Sequence, residues 1–495
     1  MSPGTRTPGR REGAGGPGGW ETVVGLEVHT ELLTATKLFC SCRNAFGDEP
    51  NTNACPVCLG LPGSLPVLNA AAVELAARIG LALHSEIRPS LFHRKNYFYP
   101  DMPKDYQISQ YDEPICSGGW LELPGGARIG IVRAHLEEDT GKTTHVGGDG
   151  RIHGAAHALV DYNRAGVPLV EIVSEPDLRS AEQARSYVAE LRRILVAIGA
   201  SDGRMEEGSV RVDANVSVRR GAGAPLGTRC EIKNLNSLRS LGRAIEHEAA
   251  RQADLLYSGG TVAQETRHWL EDEGRTVAMR SKEEAFDYRY FPEPDLVPLS
   301  PGDDLLASVA AAMPPLPAER RHRLAGLLGE AGSTAAVADQ IATVVELGLD
   351  DLVHEAVTTH GAPGRLALAR GANEAAANPE AARSLAAESF AALVRLESDG
   401  RLGASQAKAV LAEMLAAGGG DPAEIAAAKG FEALPTDQLE GVLDEIAGAH
   451  PAEWERYLQG DEKVAGFLVG QVMRATRGRA DGKAAVAALA ARRRG

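Results

Sequence analysis

The sequence predicts an α+β protein, with a sheet-rich domain followed by helical ones. Alternating apolar and polar residues mark strands in the first part of the chain, most clearly VRVDANVSVR at residues 210–219. Ala-rich segments such as AAVADQIATVVELGLDDLVHEAV fill the later part and have helical periodicity. The two parts meet at a seam marked by four prolines, Pro292, Pro294, Pro298 and Pro301.

The chain has 495 residues, too many for one hydrophobic core, and we expect it to divide into domains. The basic, glycine-rich start, residues 1–19, predicts a disordered leader. We assign residues 20–296 to a catalytic α+β domain, 297–420 to a helical domain and 421–495 to a small helical tail. The glycine run AAGGGDP near Gly418 separates the last two.

Composition and charge narrow the classes of function. The formal net charge is -15, which argues against indiscriminate nucleic-acid binding, so an RNA partner would have to meet a local basic patch. We find no apolar run of the length that spans a membrane, about 18 residues, and no secretory signal. We therefore expect a soluble, cytoplasmic protein without a membrane partner.

The strand GLEVHTEL, residues 25–32, raises the first functional question. Successive side chains of a strand point to opposite faces, so Glu27, His29 and Glu31 share one face if the apolar residues face the core. Two carboxylates and an imidazole in a row indicate either a solvated surface or a ligand set.

Two further carboxylates fit the same chemistry. HLEEDTGK contains Glu138, and GVPLVEIV places Glu171 inside an otherwise apolar strand, where an ionised carboxylate is costly unless it meets a cation or a metal. Glu27, His29, Glu138 and Glu171 together suit a hard cation such as Mg²⁺. The sequence does not show whether they converge.

Four cysteines have the spacing of a metal site. Cys40, Cys42, Cys55 and Cys58 form C-x-C-x12-C-x2-C, two close pairs that can supply four thiolates to a tetrahedral Zn²⁺. Four thiolates leave no open position for substrate, which predicts a structural site. The alternative is four unrelated buried thiols.

A nucleotide would need an architecture other than a P-loop, because GKTT at residues 141–144 lacks the first glycine of that motif. RKNYFYPDMPKDYQISQ places Lys95 and Tyr97 among alternating cations and aromatic rings. These could contact phosphates and stack on adenine, or form a packed aromatic turn. The polar string EIKNLNS, with Lys233 and Asn234, is typical of residues that line a site.

Several long phrases together resemble the GatB family of the aspartyl/glutamyl-tRNA amidotransferases. They include GLEVHTEL, CPVCLGLPGSLPVLN, HLEEDTGK, NRAGVPLVEIVSEPD, EEGSVRVDANVSVR and DYRYFPEPDL, and they follow in the family's order from about Glu21 onward. The ending GFLVGQVMRATRGRADGKA resembles the family's YqeY-type tail. Asp105 departs from the glycine expected in PKGYQ.

The resemblance implies a cradle-shaped catalytic domain similar to glutamine synthetase. Such enzymes use ATP and Mg²⁺ to phosphorylate the side-chain carboxylate of Glu or Asp misacylated onto tRNA(Gln) or tRNA(Asn), and ammonia then displaces phosphate. By resemblance the metal ligands are Glu27, His29, Glu138 and Glu171. From charge and placement, we assign Arg211, Lys233 and Lys95 as clamps for phosphate or carboxylate.

Ammonia has to come from elsewhere, because the sequence has no amidase signature and no convincing catalytic cysteine. The resemblance implies a heterotrimer in which the amidase GatA hydrolyses glutamine and the small protein GatC braces the pair. It also implies that misacylated tRNA is held through the tail. Two alternatives remain open at this point: a zinc-containing tRNA-binding adaptor without catalysis, and a free-standing ligase acting on free glutamate.

Overall fold

In the computed structural model, the described residues are 19–147, 154–279, 288–329, 334–431, 436–476 and 482–494. Nearly all of the predicted leader, residues 1–19, lies outside them, so its disorder stays a prediction. The chain forms two compact units, Met1–Leu316 and Pro317–Gly495.

The first unit combines strands and helices. Its strands are β1 (Glu21–Glu31), β2 (Glu86–Ile87), β3 (Phe92–Asn96), β4 (Tyr106–Gln110), β5 (Cys116–Ser117), β6 (Trp120–Glu122), β7 (Arg128–Glu138), β8 (Lys142–Val146), β9 (His157–Asp161), β10 (Pro168–Ser174), β11 (Val210–Arg219), β12 (Cys230–Leu235), β13 (Thr266–Leu270), β14 (Arg275–Ala278) and β15 (Phe291–Pro292). Its helices are α1 (Ala70–Ala82), α2 (Ala181–Ala197), α3 (Leu238–Tyr257) and α4 (Asp303–Ala311).

Thirteen of these strands, among the described residues, join one sheet. Its main path runs β14-β13-β12-β11-β1-β10-β7-β4-β3-β15, while β2, β5 and β6 branch from the region of β7. Neighbours are antiparallel except β12 and β13, and β8 and β9 form a separate hairpin.

One face of the sheet is apolar and carries the helices. Leu26 and Val28 of β1 are buried there with Ile172 of β10, in a core shared with residues of α1, α2 and α3. The other face of β1 carries Glu27 and His29, which are partly exposed. The alternation predicted from the sequence is confirmed.

Helix α2 shows how local sequence sets an element boundary. Ser180 is its N-cap, and the side-chain hydroxyl accepts a hydrogen bond of 3.1 Å from the backbone N–H of Gln183. The Gln183 side chain in turn accepts from the backbone N–H of Arg179 at 2.8 Å. Gly199, just past the end, has a φ of 68°, which favours glycine.

The first unit extends past the proline seam, because α4 packs against α1.

The turn before β4 contains Asp105 at a φ of 62°, in the left-handed region that favours glycine. The glycine expected there from the family pattern would fit this backbone without strain.

The second unit is helical. Its helices are α5 (Pro317–Leu328), α6 (Ala335–Glu346), α7 (Asp350–Thr358), α8 (Gly364–Asn373), α9 (Pro379–Arg383), α10 (Ala387–Ser398), α11 (Ala404–Ala417), α12 (Pro422–Ala428), α13 (Thr436–Ala449), α14 (Pro451–Leu458), α15 (Ala465–Ala475) and α16 (Gly482–Arg494), with short 3₁₀ turns at Ala375–Ala377 and Glu462–Val464.

Two separate cores stabilise this unit. One is centred on Phe390 and Val410 and includes Ala426 of α12, and the other is centred on Leu443 and Leu468 of the tail. The glycine break after α11 is real, since Gly418 ends that helix at a φ of 72°. The division of the chain into leader, catalytic, helical and tail domains stays a prediction.

The architecture is thus a mixed α/β unit with a large sheet, followed by a helical C-terminal region, and this much of the predicted fold class is confirmed. Among the helices in the described part of the chain, none has the length and apolar character needed to cross a membrane.

Candidate functional site

The polar face of the central strands brings distant residues side by side. His29 of β1 lies opposite Glu171 of β10 on one side and opposite Arg211 of β11 on the other. Glu171 in turn lies opposite His135 of β7. Residues paired across a ladder point to the same face, so the register creates a row of ionisable side chains.

His29 and Glu171 form a compact cluster with Glu137, which lies two residues after His135 on β7 and on the same face. The Nε2 atom of His29 is 3.4 Å from Oε1 of Glu137 and 3.6 Å from Oε2 of Glu171. One ligand atom from each of the three residues falls within 4.8 Å of the others, as ligands of one ion would. His135 adjoins the cluster, with Nε2 3.3 Å from Oε2 of Glu171 and 3.9 Å from Oε2 of Glu137.

The charges around the cluster favour a bound cation, because its two carboxyl groups have no close positive partner among the described residues. Burial, and then the neighbouring Glu171 carboxylate, raise the pKa of Glu137 to about 8. Burial lowers the pKa of His29 to about 4 and that of His135 to about 3, so both imidazoles are neutral near pH 7. Within the described residues, no Lys or Arg nitrogen lies within 4.0 Å of either carboxylate.

This donor set fits a divalent metal ion. Two carboxylates supply the oxygen ligands that Mg²⁺ prefers, and a neutral imidazole offers a lone pair. A divalent cation would also lower the pKa of Glu137, because it favours the ionised carboxylate.

Glu138 does not belong to this cluster, and Glu137 takes the place that the sequence analysis gave it. Glu138 has the strand parity of Leu136, so it points to the opposite face of β7. There its carboxylate pairs with the Lys104 ammonium and accepts a hydrogen bond of 2.8 Å from the backbone N–H of Ile108. A carboxylate satisfied in this way cannot reach His29.

Glu27 shares the face of the cluster but lies outside the three-residue group. Its Oε1 atom accepts a hydrogen bond of 2.9 Å from the side-chain amide of Asn215. Burial, and then the Glu171 carboxylate, raise its pKa. Glu27 is therefore a neighbour of the metal candidates, with its carboxylate held by β11.

The two predicted clamps on β11 and β12 lie on the same face. Arg211 is held by Asp139, with 2.8 Å between Nη2 and Oδ2. The ammonium of Lys233 lies 2.8 Å from Asp213 and 2.7 Å from Glu231. These contacts hold two cations at one edge of the cluster.

Lys95 provides a third cation at the other edge. Its ammonium lies 4.9 Å from the centre of the Tyr288 ring. Burial favours the neutral amine, but the surrounding carboxylates, Glu137 first among them, leave its pKa above the ordinary value. Lys95 therefore stays charged beside the cluster.

Tyr97 and Asn234 contact residues of the fold outside the cluster. Tyr97 stacks on Tyr99 with 4.8 Å between ring centres, the arrangement of a packed aromatic turn. Asn234 is exposed at a φ of 67°, where the register between β11 and β12 shifts, and its amide donates to the carbonyl of Trp269. Their predicted roles in nucleotide binding stay predictions.

The four cysteines form a second candidate centre. Cys58 is buried, and its Sγ atom lies 3.5 Å from that of Cys40, 3.7 Å from Cys55 and 3.8 Å from Cys42. Zn–S bonds of about 2.3 Å in a tetrahedron place sulfur atoms about 3.8 Å apart. The cluster could therefore bind a metal, and its donor set fits zinc.

The turns that carry the cysteines are tightly built. The backbone N–H of Leu59 donates to the carbonyl of Cys55 at 3.1 Å. Gly60 follows at a φ of 62°, and a Cβ atom there would lie 2.7 Å from the side chain of Lys104. Only glycine fits this close approach without displacing Lys104.

The segment HLEEDTGK offers Glu137, Asp139 and His135 as well as Glu138, but sequence reasoning selected only Glu138 for the metal set. One signal was available for the first: Glu137 has the parity of His135, whereas Glu138 has the parity of the neighbouring apolar residues Ala134 and Leu136. The partner of Arg211 could not be found this way, because Asp139 lies just beyond the end of β7 and meets Arg211 only in the fold.

Family models match parts of both compact units. Residues 22–307 match the family model described as GatB/GatE catalytic domain, and residues 367–492 match the one described as GatB domain. The B subunit of the aspartyl/glutamyl-tRNA(Asn/Gln) amidotransferase of Frankia casuarinae is 51% identical over 482 residues, which cover 94% of each chain.

Other relatives have the same name. The protein of Anaeromyxobacter sp. is 47% identical over 491 residues, 96% of this chain and 99% of its own. That of Mycobacterium tuberculosis is 49% identical over 481 residues, 93% of this chain and 92% of its own. The similarity spans both compact units.

Proposed function

The chain belongs to the GatB family, and from that premise we propose that it is the component of a tRNA-dependent amidotransferase that activates the misacylated amino acid. Its substrates are Glu-tRNA(Gln), Asp-tRNA(Asn) or both. The side-chain carboxylate takes the γ-phosphoryl group of ATP, which gives an acyl phosphate and ADP. Ammonia attacks the acyl carbon and expels phosphate, which leaves Gln or Asn on the tRNA.

The observation that supports this function most strongly is the cluster of His29, Glu137 and Glu171 on the polar face of the sheet. Phosphoryl transfer to a carboxylate brings together groups that repel each other. A bound Mg²⁺ would offset this charge and align the reacting groups. These three residues would hold it, with Glu27 beside them.

Three cationic side chains lie beside the cluster, where they can bind the anionic reactants. Lys95 lies at one edge of the cluster, and Arg211 and Lys233 lie at the other. Their side chains are held by neighbouring acidic groups or by an aromatic ring, so little reorganisation is needed when phosphate or carboxylate arrives. We assign them as clamps, and Tyr97 and Asn234 as lining of the ATP site.

Ammonia must be supplied by a partner. The two cysteines outside the four-thiol cluster, Cys116 and Cys230, are buried, and burial raises their pKa values, to about 12 and about 11. Such thiols are poor nucleophiles, so they do not suit glutamine hydrolysis. We propose that the amidase GatA supplies ammonia and that the small protein GatC completes the heterotrimer.

The remaining assignments follow from the same proposal. The α/β unit is a cradle similar to that of glutamine synthetase, the four cysteines hold a structural Zn²⁺, and the tail holds tRNA. Because aminoacyl-tRNA is made and used in the cytoplasm, we place the protein there.

The test is ATP consumption by the heterotrimer assembled with GatA and GatC. We expect ADP to form when misacylated tRNA and ammonium chloride are supplied, and amidated aminoacyl-tRNA to accumulate in step. Binding of tRNA without ADP formation would favour a non-catalytic adaptor. Turnover of free glutamate without tRNA would indicate a small-molecule ligase.

A further inference from the structure

Lys37 is a fully buried lysine next to the four-cysteine cluster. It follows β1 by a few residues, and its exposed fraction is 0%. Its ammonium donates to the Sγ atom of Cys58 at 3.5 Å and to the backbone carbonyl of Tyr162 at 3.1 Å. A lysine enclosed to this extent is rare unless its charge is compensated.

The carboxylates of this region do not compensate it. Within the described residues, no carboxylate oxygen lies within 4.0 Å of the Lys37 ammonium, and the nearby Glu138 is paired with Lys104. An unpaired ammonium in a protein interior is strongly destabilising. Of its two contacts, only the sulfur of Cys58 can carry a negative charge.

A tetrathiolate zinc centre has the opposite imbalance, an excess of negative charge. Zn²⁺ with four thiolates carries a net charge of about -2, and Cys58, the thiol that Lys37 contacts, is the most buried of the four. A buried anion of this kind is stabilised by a positive charge and by hydrogen bonds to sulfur. Lys37 supplies both.

The backbone around Lys37 fixes this geometry. Its N–H donates to the carbonyl of Cys42 at 3.0 Å, and the N–H of Leu38 donates to the carbonyl of Gly166 at 2.9 Å. The segment thus lies between the cysteine turns and the turn from Tyr162 to Gly166. The position of the Lys37 ammonium is fixed by the backbone hydrogen bond to Cys42 at one end and by the contact with the Tyr162 carbonyl at the other.

We propose that Lys37 is the buried counter-charge of the zinc–thiolate centre and that it ties this centre to the Tyr162–Gly166 turn. This inference rests on the proposed zinc site. It makes Lys37 a positioning residue for the metal, outside the ligand set and outside the reaction itself.

The test compares zinc retention in the wild-type complex, Lys37→Met and a control, Lys142→Met. Methionine keeps an unbranched side chain that is one atom shorter and removes the charge, while Lys142 is an exposed lysine on β8. Zinc is titrated away with a chromogenic chelator. We expect Lys37→Met to lose zinc at chelator concentrations about 10- to 100-fold lower than wild type, and Lys142→Met to match wild type.

Cobalt substitution checks that the ligands remain intact. Lys37→Met should still give the absorption of a tetrahedral tetrathiolate Co²⁺ centre, because all four thiols are present. An unchanged chelator curve for Lys37→Met would overturn the role of Lys37 while leaving the zinc site standing. Wild-type protein without zinc would overturn the zinc proposal itself.

If Lys37→Met fails to fold, amine labelling of the wild-type complex decides the question. Lys37 should resist an acylating reagent while zinc is bound and should become reactive in proportion to the zinc removed. Labelling of Lys37 that does not depend on zinc content would contradict the proposal.

Discussion

Glu171 is a proposed metal ligand, and the proposed chemistry depends on its negative charge. Glu171→Gln keeps the volume and removes a carboxylate that lies 3.6 Å from His29. We expect transamidation with ammonia supplied directly to fall by about 10²- to 10³-fold or more, since the lost contribution is transition-state electrostatics. Binding of tRNA should be preserved. Near wild-type rates would reduce Glu171 to a structural carboxylate.

The raised pKa of Glu137 gives the metal site a pH dependence. Below about pH 8 this carboxyl group holds a proton in the metal-free protein, and the proton must leave before the oxygen can bind a cation. Affinity for Mn²⁺, used in place of Mg²⁺, should therefore rise with pH, by up to about tenfold per unit, and level off above about pH 8.

Calorimetry in buffers of different ionisation enthalpy measures the proton release directly. Glu137→Gln, which has no proton to lose, serves as the control and should bind more weakly with a flatter pH profile. An affinity for Mn²⁺ that does not change between about pH 6 and 8 would contradict the assignment.

The sequence predicts which face of a strand a residue occupies, because this depends on strand parity. It does not predict which residues of other strands lie beside it, because this depends on register. Parity places Glu27 and His29 on one face of β1, and the structure has them there. Their meeting with Glu137 and Glu171 depends on how β1, β10 and β7 align, a non-local choice that no short pattern encodes.

At the scale of elements, the cysteine turns depend on the metal that they are proposed to bind. Cys55→Ser removes one ligand, and we expect it to release zinc and to loosen the segment from Phe39 to Leu61, because metal binding and local folding are coupled. Elemental analysis and hydrogen exchange measure the two effects.

The control for that experiment is Cys116→Ser, which changes a buried cysteine outside the cluster and should leave the zinc content unchanged. Wild-type protein that contains no zinc and has four freely titratable thiols would contradict the prediction.

Elements with strong local signals were predictable, and those set by long-range packing were not. Ser180 and Gln183 indicate the start of α2, because their capping contacts lie within one turn. By contrast, α12 follows the glycine break and was expected to belong to the tail, yet its Ala426 packs into the core of the helices before it. Its position depends on that packing.

At the scale of the whole molecule, the tail is the proposed tRNA-holding part. Its last 22 residues, Arg474 to Gly495, contain seven Lys or Arg and one acid, a local charge of +6 in a chain of net charge -15. Of those that the structure describes, Arg492 lies 2.8 Å from Asp444 and Arg493 lies 3.7 Å from Glu462, so these two contact acidic groups within the tail. The remaining ones are the candidates for phosphate contacts.

A cut after Phe431 removes residues 432–495 of the tail and keeps α12 with its core. We expect weaker tRNA binding with a flatter salt dependence, each lost phosphate contact lowering the slope by about 0.7 to 0.9. Turnover at saturating tRNA should largely survive, because the metal candidates all precede Ser180. An unchanged affinity and salt slope would assign tRNA capture to another part of the chain.

The proposed activity depends on which carboxylates hold the metal, and Mn²⁺ binding to a matched pair of variants tests this most directly. Glu137→Gln and Glu138→Gln alter neighbouring residues of β7 by the same chemical change, but only Glu137 faces His29. We predict that Glu137→Gln weakens Mn²⁺ binding by about tenfold or more and that Glu138→Gln binds almost as wild type does. Loss of binding in Glu138→Gln with full binding in Glu137→Gln would contradict this assignment of the metal site.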